Sequence, residues 1–205
     1  MSKIIPICGE LLSPNLGLSP SDQTKVLNET NIIFHMAATI RFNAPLKTAI
    51  NMNVLGTQKV IELAKQMTNL VAFVHVSTAF SCCDQKVTEE RVYDWPHDPS
   101  SMIKCAEWMD ESLLNTMSST LLMKQPNTYT YTKRLAEILI NKEYSCLPVC
   151  IVRPSIGMLI FDENVYGNCF LIELNCIVYP AYCEPLLGWT DSFNGFGGLS
   201  VRYYI

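Results

Sequence analysis

A phenol and an ammonium four residues apart, Tyr129 and Lys133, are the side chains of this 205-residue sequence best suited to chemistry. On an α-helix that spacing puts both groups on one face, one turn apart. A tyrosine with its ordinary pKa of ~10 is a poor proton donor near neutrality, whereas a fixed ammonium beside it favours the phenolate and brings the proton into useful range. Such a pair suits proton transfer at a carbonyl or alcohol oxygen. Tyr131 is the rival, but it stands two residues from Lys133, roughly 200° around a helix of 3.6 residues per turn. The role is therefore assigned to Tyr129. Taken alone, a YxxxK pair also fits an ordinary solvated helix, so the elements around it must decide.

Short β-branched runs alternate with helical patterns along the chain. Residues 3–8, 31–36, 71–76 and 148–153 read as buried strands, and residues 45–67 and 127–141 as helices. In the first helix, Ile50, Val54, Ile61, Ala64 and Met67 follow a spacing that would cover one face of a sheet. This alternation predicts an α/β fold, a parallel sheet with crossover helices of the doubly wound, Rossmann type. A polar and helical excursion within residues 89–122, including a helix from about residue 103 to 114, separates the third strand from the YxxxK helix. Excursions of this kind shape substrate entrances. A dinucleotide fold should open with a strand, a glycine-rich turn and a helix. No GxGxxG or GxxGxxG occurs near the start, and Gly195, Gly197 and Gly198 are too late in the chain to serve. The reading is thus a partial Rossmann-type sheet whose first βαβ unit, with its glycine-rich loop, is missing.

Composition narrows the function classes. With 49% hydrophobic and 17% charged residues the chain has ordinary globular composition. A net charge of −4 and the lack of a basic run argue against nucleic acid and for a small-molecule site. Nine cysteines, an odd number with no CxxC pair, and three histidines argue against a metal site and for a reducing, intracellular compartment. The amino-terminal apolar run is too short for a signal peptide, and the apolar stretch 169–182 falls short of the ~20 residues a membrane helix needs.

Several segments taken together are similar to the extended short-chain dehydrogenases, and within them to the alcohol-forming fatty acyl-CoA reductases, the male-sterility type of reductase domain. They are IFHMAATIRF at 33–42, NMNVLGT at 51–57, FVHVSTAF at 73–80, EWMD at 107–110, PNTYTYTK at 126–133 and RPSI at 153–156. The resemblance implies reduction of a long-chain fatty acyl-CoA by NADPH, through an aldehyde, to a fatty alcohol and free CoA. It also implies that Tyr129 donates a proton to the carbonyl oxygen, that Lys133 lowers its pKa and holds the nicotinamide ribose, and that a hydroxyl from Ser77 or Thr78 bonds the same oxygen. Thr78 matches the family's catalytic position, with Ser77 its neighbour. For the cofactor the resemblance implies Gly9 and Glu10 beside the adenine, and Ala37 and Ala38 small for close approach of backbone. Asn53 would support the Lys133 region or be a buried structural amide. Pro154, Ser155 and Ile156 follow the last strand, where ligands collect. His35 and His75, inside strands, are read as satisfied core residues.

The domain reading is a partial NAD(P)-binding reductase domain over 1–156, an atypical insertion over 157–176, and a partial continuation with a divergent end over 177–205. In the family's strand order, two further strands would lie between the strand at 3–8 and the next one here, leaving two apolar strand edges unpartnered. A chain read in this way is expected to bind NADPH weakly. The resemblance implies a peroxisomal or endoplasmic reticulum membrane address through a carboxyl-terminal segment not recognised in this sequence. Two other readings stay open: another extended short-chain dehydrogenase, or a non-catalytic remnant that binds a protein partner through its exposed edge.

Overall fold

The computed structural model describes residues 4–143 and 146–154. The chain divides into two units, Met1–Val152 and Arg153–Ile205, and the elements below belong to the first. Ser155, Ile156 and the segments 157–176 and 177–205 lie outside the described residues.

Three short β-branched runs form one parallel sheet: β1 (Ile32–His35), β2 (Ala72–Val76) and β3 (Val149–Val152), hydrogen-bonded in that order. The register aligns Ile33 with Phe73 and Val149, and His35 with His75 and Ile151. Because side chains alternate across a sheet, this register sends Phe73, His35 and His75 together to the face that helices cover, and all three are buried. Ile32 and Phe34, on the opposite face, are 51% and 53% exposed.

Over the described part of the strand expected at residues 3–8, no strand forms. Residues 4–10 are irregular, Ile4 and Ile5 are exposed, and Pro6 lacks the N–H that a ladder needs. Of the two unpartnered edges expected, the one on residues 31–36 is present: among the described residues no strand pairs with the outer edge of β1.

Between β1 and β2 runs the helix expected over 45–67. It comprises α2 (Leu46–Ile50), a wide π-turn (Asn51–Leu55) and α3 (Gly56–Ala64). Ile50, Val54, Ile61 and Ala64 are nearly or wholly buried and form the face that packs, whereas Met67 lies past the end of α3 and is only half-buried. Gly56 packs closely: a Cβ there would come within 2.7 Å of a terminal methyl of Leu11, which would have to shift.

Two helices, α4 (Pro99–Trp108) and α5 (Glu111–Leu122), replace the single helix expected over 103–114. Met109 and Asp110 are both extended, with ψ of 145° and 146°. Asp110 occupies the N-cap position of α5 without a side-chain capping bond, and its low helix propensity favours a break there. The break leaves the Met109 carbonyl free to accept from Lys47 Nζ at 2.8 Å.

The central element is α6 (Thr128–Lys142). Asn127 caps it, its side-chain oxygen accepting from the Thr130 N–H at 2.9 Å. Every residue from Thr128 to Glu137 is buried, so the solvated-helix reading of YxxxK fails here. Tyr131, Leu135 and Ile140 join Phe73 of β2 and Leu46, Ile50 and Val54 in one hydrophobic cluster. A helix that sequence reading missed, α1 (Pro20–Glu29), starts at Ser19 with Pro20 in its first turn and buries no residue. No helix among the described residues is long and apolar enough to cross a membrane. Cys8, Cys82, Cys83, Cys105, Cys146 and Cys150 are free thiols.

Candidate active site

The carboxyl ends of parallel strands are where ligands collect in sheets of this class, and β2 ends at Val76, directly before Ser77 and Thr78. Lys133, 4% exposed, reaches this end from α6, its Nζ donating to the Val76 carbonyl at 2.8 Å. Tyr129 precedes it by one turn on the same helix face and is 5% exposed, its ring 5.5 Å from that of Phe42. Tyr131 turns away: it is wholly buried, its hydroxyl lies 3.0 Å from His97 Nδ1, and burial pushes its phenol well above the ordinary range. Of the two tyrosines, Tyr129 is therefore the one on the lysine's face, as the spacing predicted.

The two hydroxyls at the strand end have different partners. Ser77 Oγ donates to Glu137 Oε1 at 2.5 Å, while its backbone N–H donates to the Val152 carbonyl at 2.8 Å. Thr78 caps the short 3-10 turn Ala79–Cys82, its Oγ1 accepting from the Phe80 N–H at 3.3 Å. A hydroxyl carries one donor and two acceptor sites. Ser77 has thus committed its proton, whereas Thr78 still has its own to give.

Asn53 sits in the π-turn, a distortion that recurs at functional sites. Its amide accepts from the Thr39 N–H at 2.8 Å and donates to the Thr39 carbonyl at 3.2 Å and to Thr132 Oγ1 at 2.9 Å. It supports the lysine's surroundings through the neighbouring Thr132, and ties the loop after β1 to α6. Thr128 Oγ1 makes a second tie, lying 3.1 Å and 2.9 Å from the carbonyls of Phe42 and Ala44. Between the same loop and α5, an open cavity of about 370 Å³ is lined by Phe42, Pro45, Leu46, Asn115, Leu122 and Thr128, the last of these adjacent to Tyr129.

Behind Lys133 lie the two strand histidines, ring centroids 5.3 Å apart. His35 Nε2 is 2.9 Å from Thr57 Oγ1; burial, and secondarily the Lys133 cation, lowers its pKa to about 4. His75 departs from the reading of a satisfied core residue. It is fully buried, neither ring nitrogen has a hydrogen-bond partner, and burial followed by Lys133 and His35 holds its pKa well below the usual range. Both rings are therefore neutral near pH 7.

Most of the remaining candidates are more exposed. Ala37 is exposed and Ala38 half-buried just past β1. Gly9 and Glu10 are exposed: a Cβ on Gly9 would lie 2.9 Å from the Leu16 carbonyl, and the Glu10 N–H donates to that same carbonyl at 2.7 Å. Pro154 is buried two residues after β3. No group of three or more metal-ligating side chains occurs among the described residues.

Sequence reading missed Glu137, buried at 1% exposure, and the ion pair of Arg134 with Asp84 at 2.5 Å, in which both side chains are buried. Arg134 also lies over the ring of Trp95 at 4.5 Å, fastening the excursion after β2 to α6. The signal available for Glu137 was its spacing: residues 129, 133 and 137 recur every four positions on one helix face.

The donor set fits a nicotinamide cofactor. A buried cation, an uncommitted threonine proton and the exposed Ala37 all lie at carboxyl ends of parallel strands, where a ribose diol and a reacting carbonyl need donors. The NAD-binding family described as male sterility protein matches residues 1–204. Human fatty acyl-CoA reductase 1 is 44% identical over 199 residues, which make up 97% of this chain and 35% of that protein. Mouse fatty acyl-CoA reductase 2 is 40% identical over the same shares. The terminal R domain of a myxalamid PKS-NRPS pathway, a solved structure, is 24% identical with a TM-score of 0.49, covering 74% of this chain and 33% of that one. The chain thus spans about a third of the length of the curated relatives it matches.

Proposed function

The chain belongs to the male sterility protein family of NAD-binding reductase domains, and we propose that it is the catalytic portion of an NADPH-dependent, alcohol-forming fatty acyl-CoA reductase. The observation that carries this reading is the convergence at the end of β2: Lys133 Nζ on the Val76 carbonyl, Thr78 with its proton uncommitted, and Tyr129 one turn from the lysine. The names of the relatives supply the substrate class.

Reduction of an acyl thioester to an alcohol takes two hydrides and two protons, with loss of CoA as the thiol. The bound cofactor supplies the hydride. The two protons come from solvent: one reaches the departing CoA thiolate, and the other is relayed by the chain's residues to the alcohol oxygen, Tyr129 being reprotonated afterwards. Tyr129 gives its phenolic proton to the carbonyl oxygen as negative charge develops there, and the Lys133 ammonium favours the resulting phenolate. Thr78 donates its free hydroxyl proton in a hydrogen bond to the same oxygen, an interaction stronger with the developing oxyanion than with the ground-state carbonyl. Lys133, Ala37, Ala38 and, by resemblance, Gly9 and Glu10 would hold the cofactor. Asn53 keeps the loop after β1 in place through Thr39. The cavity beside Phe42 and Leu122 offers the acyl thioester an approach to Tyr129.

The test is gas chromatography of products formed from palmitoyl-CoA and NADPH by the full-length protein. Hexadecanol with release of CoA is the expected result. A folded, cofactor-binding protein that leaves the thioester intact and instead turns over a sterol or a sugar nucleotide would replace this reading with that of another extended short-chain dehydrogenase.

A further inference from the structure

Glu137 lies one turn beyond Lys133 on α6 and is 1% exposed. One of its oxygens, Oε1, accepts from two hydroxyls, Ser77 Oγ at 2.5 Å and Ser81 Oγ at 2.8 Å. Ser77 stands just before Thr78 and Ser81 three residues after it, in the 3-10 turn that Thr78 caps. The turn is held from two further sides, since the Ser81 carbonyl accepts from Gln125 Nε2 at 3.1 Å and from Arg134 at 3.4 Å. Hydrogen bonds to a carboxylate are among the stronger ones available to a hydroxyl, and burial removes the water that would otherwise compete.

We propose that Glu137 is a positioning residue for the reductase site: it clamps the strand end on both sides of Thr78 and, by taking the Ser77 proton, leaves Thr78 as the hydroxyl offered to the substrate oxygen. The donor count carries the second half. Ser77 has one proton and gives it to Glu137; the Ser81 proton is divided between Glu137 and the Thr78 carbonyl at 2.9 Å; Thr78 Oγ1 accepts from Phe80 and retains its own. Without the carboxylate, Ser77 is free to turn toward the substrate and Thr78 loses the fixed geometry of its turn. The proposal rests on the reading of Tyr129, Lys133 and Thr78 as a reductase site.

The test compares Glu137→Leu, which removes the acceptor, with Glu137→Gln, which keeps an acceptor oxygen, in the full-length protein. Amide hydrogen exchange needs no substrate. Exchange at Phe80 and Ser81 should speed up at least tenfold in Glu137→Leu and little in Glu137→Gln, with the helix core of α6 unchanged. In palmitoyl-CoA reduction, Glu137→Leu should lower kcat at least tenfold while KM for NADPH stays within about twofold, and Glu137→Gln should recover most of the loss. Adding Glu137→Leu to Thr78→Val should cost little more than Thr78→Val alone, because the carboxylate acts through that threonine. Ser77→Ala should cost less than Thr78→Val. Native exchange at Phe80 in Glu137→Leu would overturn the clamp whatever the enzyme reduces, as would losses from Glu137 and Thr78 that multiply. Faster exchange at Phe80, in a protein that forms no alcohol from acyl-CoA, would keep the clamp and remove the substrate reading instead. Should Glu137→Leu fail to fold, Ser81→Ala removes one of the two bonds and carries the same exchange test.

Discussion

Two helices of this molecule meet their surroundings in opposite ways. In α6 each residue from Thr128 to Glu137 is buried, and hydroxyls, an ammonium, a guanidinium and a carboxylate are all taken up by neighbouring elements. In α1 no residue is buried, and the helix rests on its own Ser19 cap and on Asn69 Nδ2 donating to the Asn28 carbonyl. The difference separates the two halves of the proposed site. The proton-transfer groups sit on the element that most of the core defines. Gly9 and Glu10, which by resemblance face the adenine, sit in an exposed segment fixed through the Leu16 carbonyl. Chemistry that tolerates little displacement is placed where many contacts over-determine the backbone, and nucleotide binding can draw on locally held backbone.

Substitutions on the two helices should divide along this line. Leu135→Ala, at a wholly buried position in the cluster that also holds Phe73 and Ile50, should lower unfolding free energy by about 2–5 kcal/mol in urea denaturation. Val26→Ala, half-buried on α1, should cost under ~1 kcal/mol. Equal costs at the two positions would mean that α1 packs as α6 does.

The buried region should also respond to acid where the exposed one does not. His35, with its pKa lowered to about 4 by burial and then by Lys133, stays neutral when folded, while the unfolded chain takes up that proton below pH 6.5. The unfolded state then binds more protons, so stability from this group is complete above pH 6.5 and is lost as pH falls toward 4. The shift corresponds to roughly 3 kcal/mol across that window. His75, held low for the same reasons, adds to it in the same direction. Denaturation at pH 7, 6, 5 and 4 should show this slope, and His35→Asn should flatten it. An unchanged slope in that variant would assign the acid sensitivity to His75 or to carboxylates elsewhere.

The smallest effect is expected at the cap of α1. Ser19→Ala removes the acceptor of the Asp22 N–H, which lies 3.1 Å away, and should cost about 1 kcal/mol or less, read as faster amide exchange confined to the first turn of α1. Loss of the sheet along with α1 would show that the helix is more than locally held.

The parts of the structure legible in sequence are those where one local rule coincides with tertiary packing. The periodic apolar face from Ile50 to Ala64 is the face that packs, and the four-residue spacing of Tyr129 and Lys133 places them as expected because α6 is a regular helix. The strand expected at 3–8 has strand-like composition, but Pro6 removes a donor and residues 4–10 are irregular. The break at Met109 and Asp110 was hidden because its compensation, Lys47 on the Met109 carbonyl, comes from 62 residues away. Glu137 and Arg134 were missed for a similar reason. A charged residue on a helix reads as solvent-facing until its partners, here Ser77, Ser81 and Asp84, are brought in by the loop after β2. His75 shows the reverse, an apparently ordinary core residue whose two ring nitrogens are left without partners beneath Lys133.

The central claim is that Tyr129, on the lysine's helix face, is the proton donor and that Tyr131 is a structural residue bonded to His97. It is tested most directly by steady-state reduction of palmitoyl-CoA with Tyr129→Phe and Tyr131→Phe in the full-length protein, with NADPH affinity measured in parallel. The expected result is a fall in kcat of ~10²-fold or more for Tyr129→Phe at preserved NADPH affinity, and a far smaller fall for Tyr131→Phe, whose loss should appear as lowered stability. Equal losses of kcat from the two substitutions, with both proteins folded, would contradict the assignment.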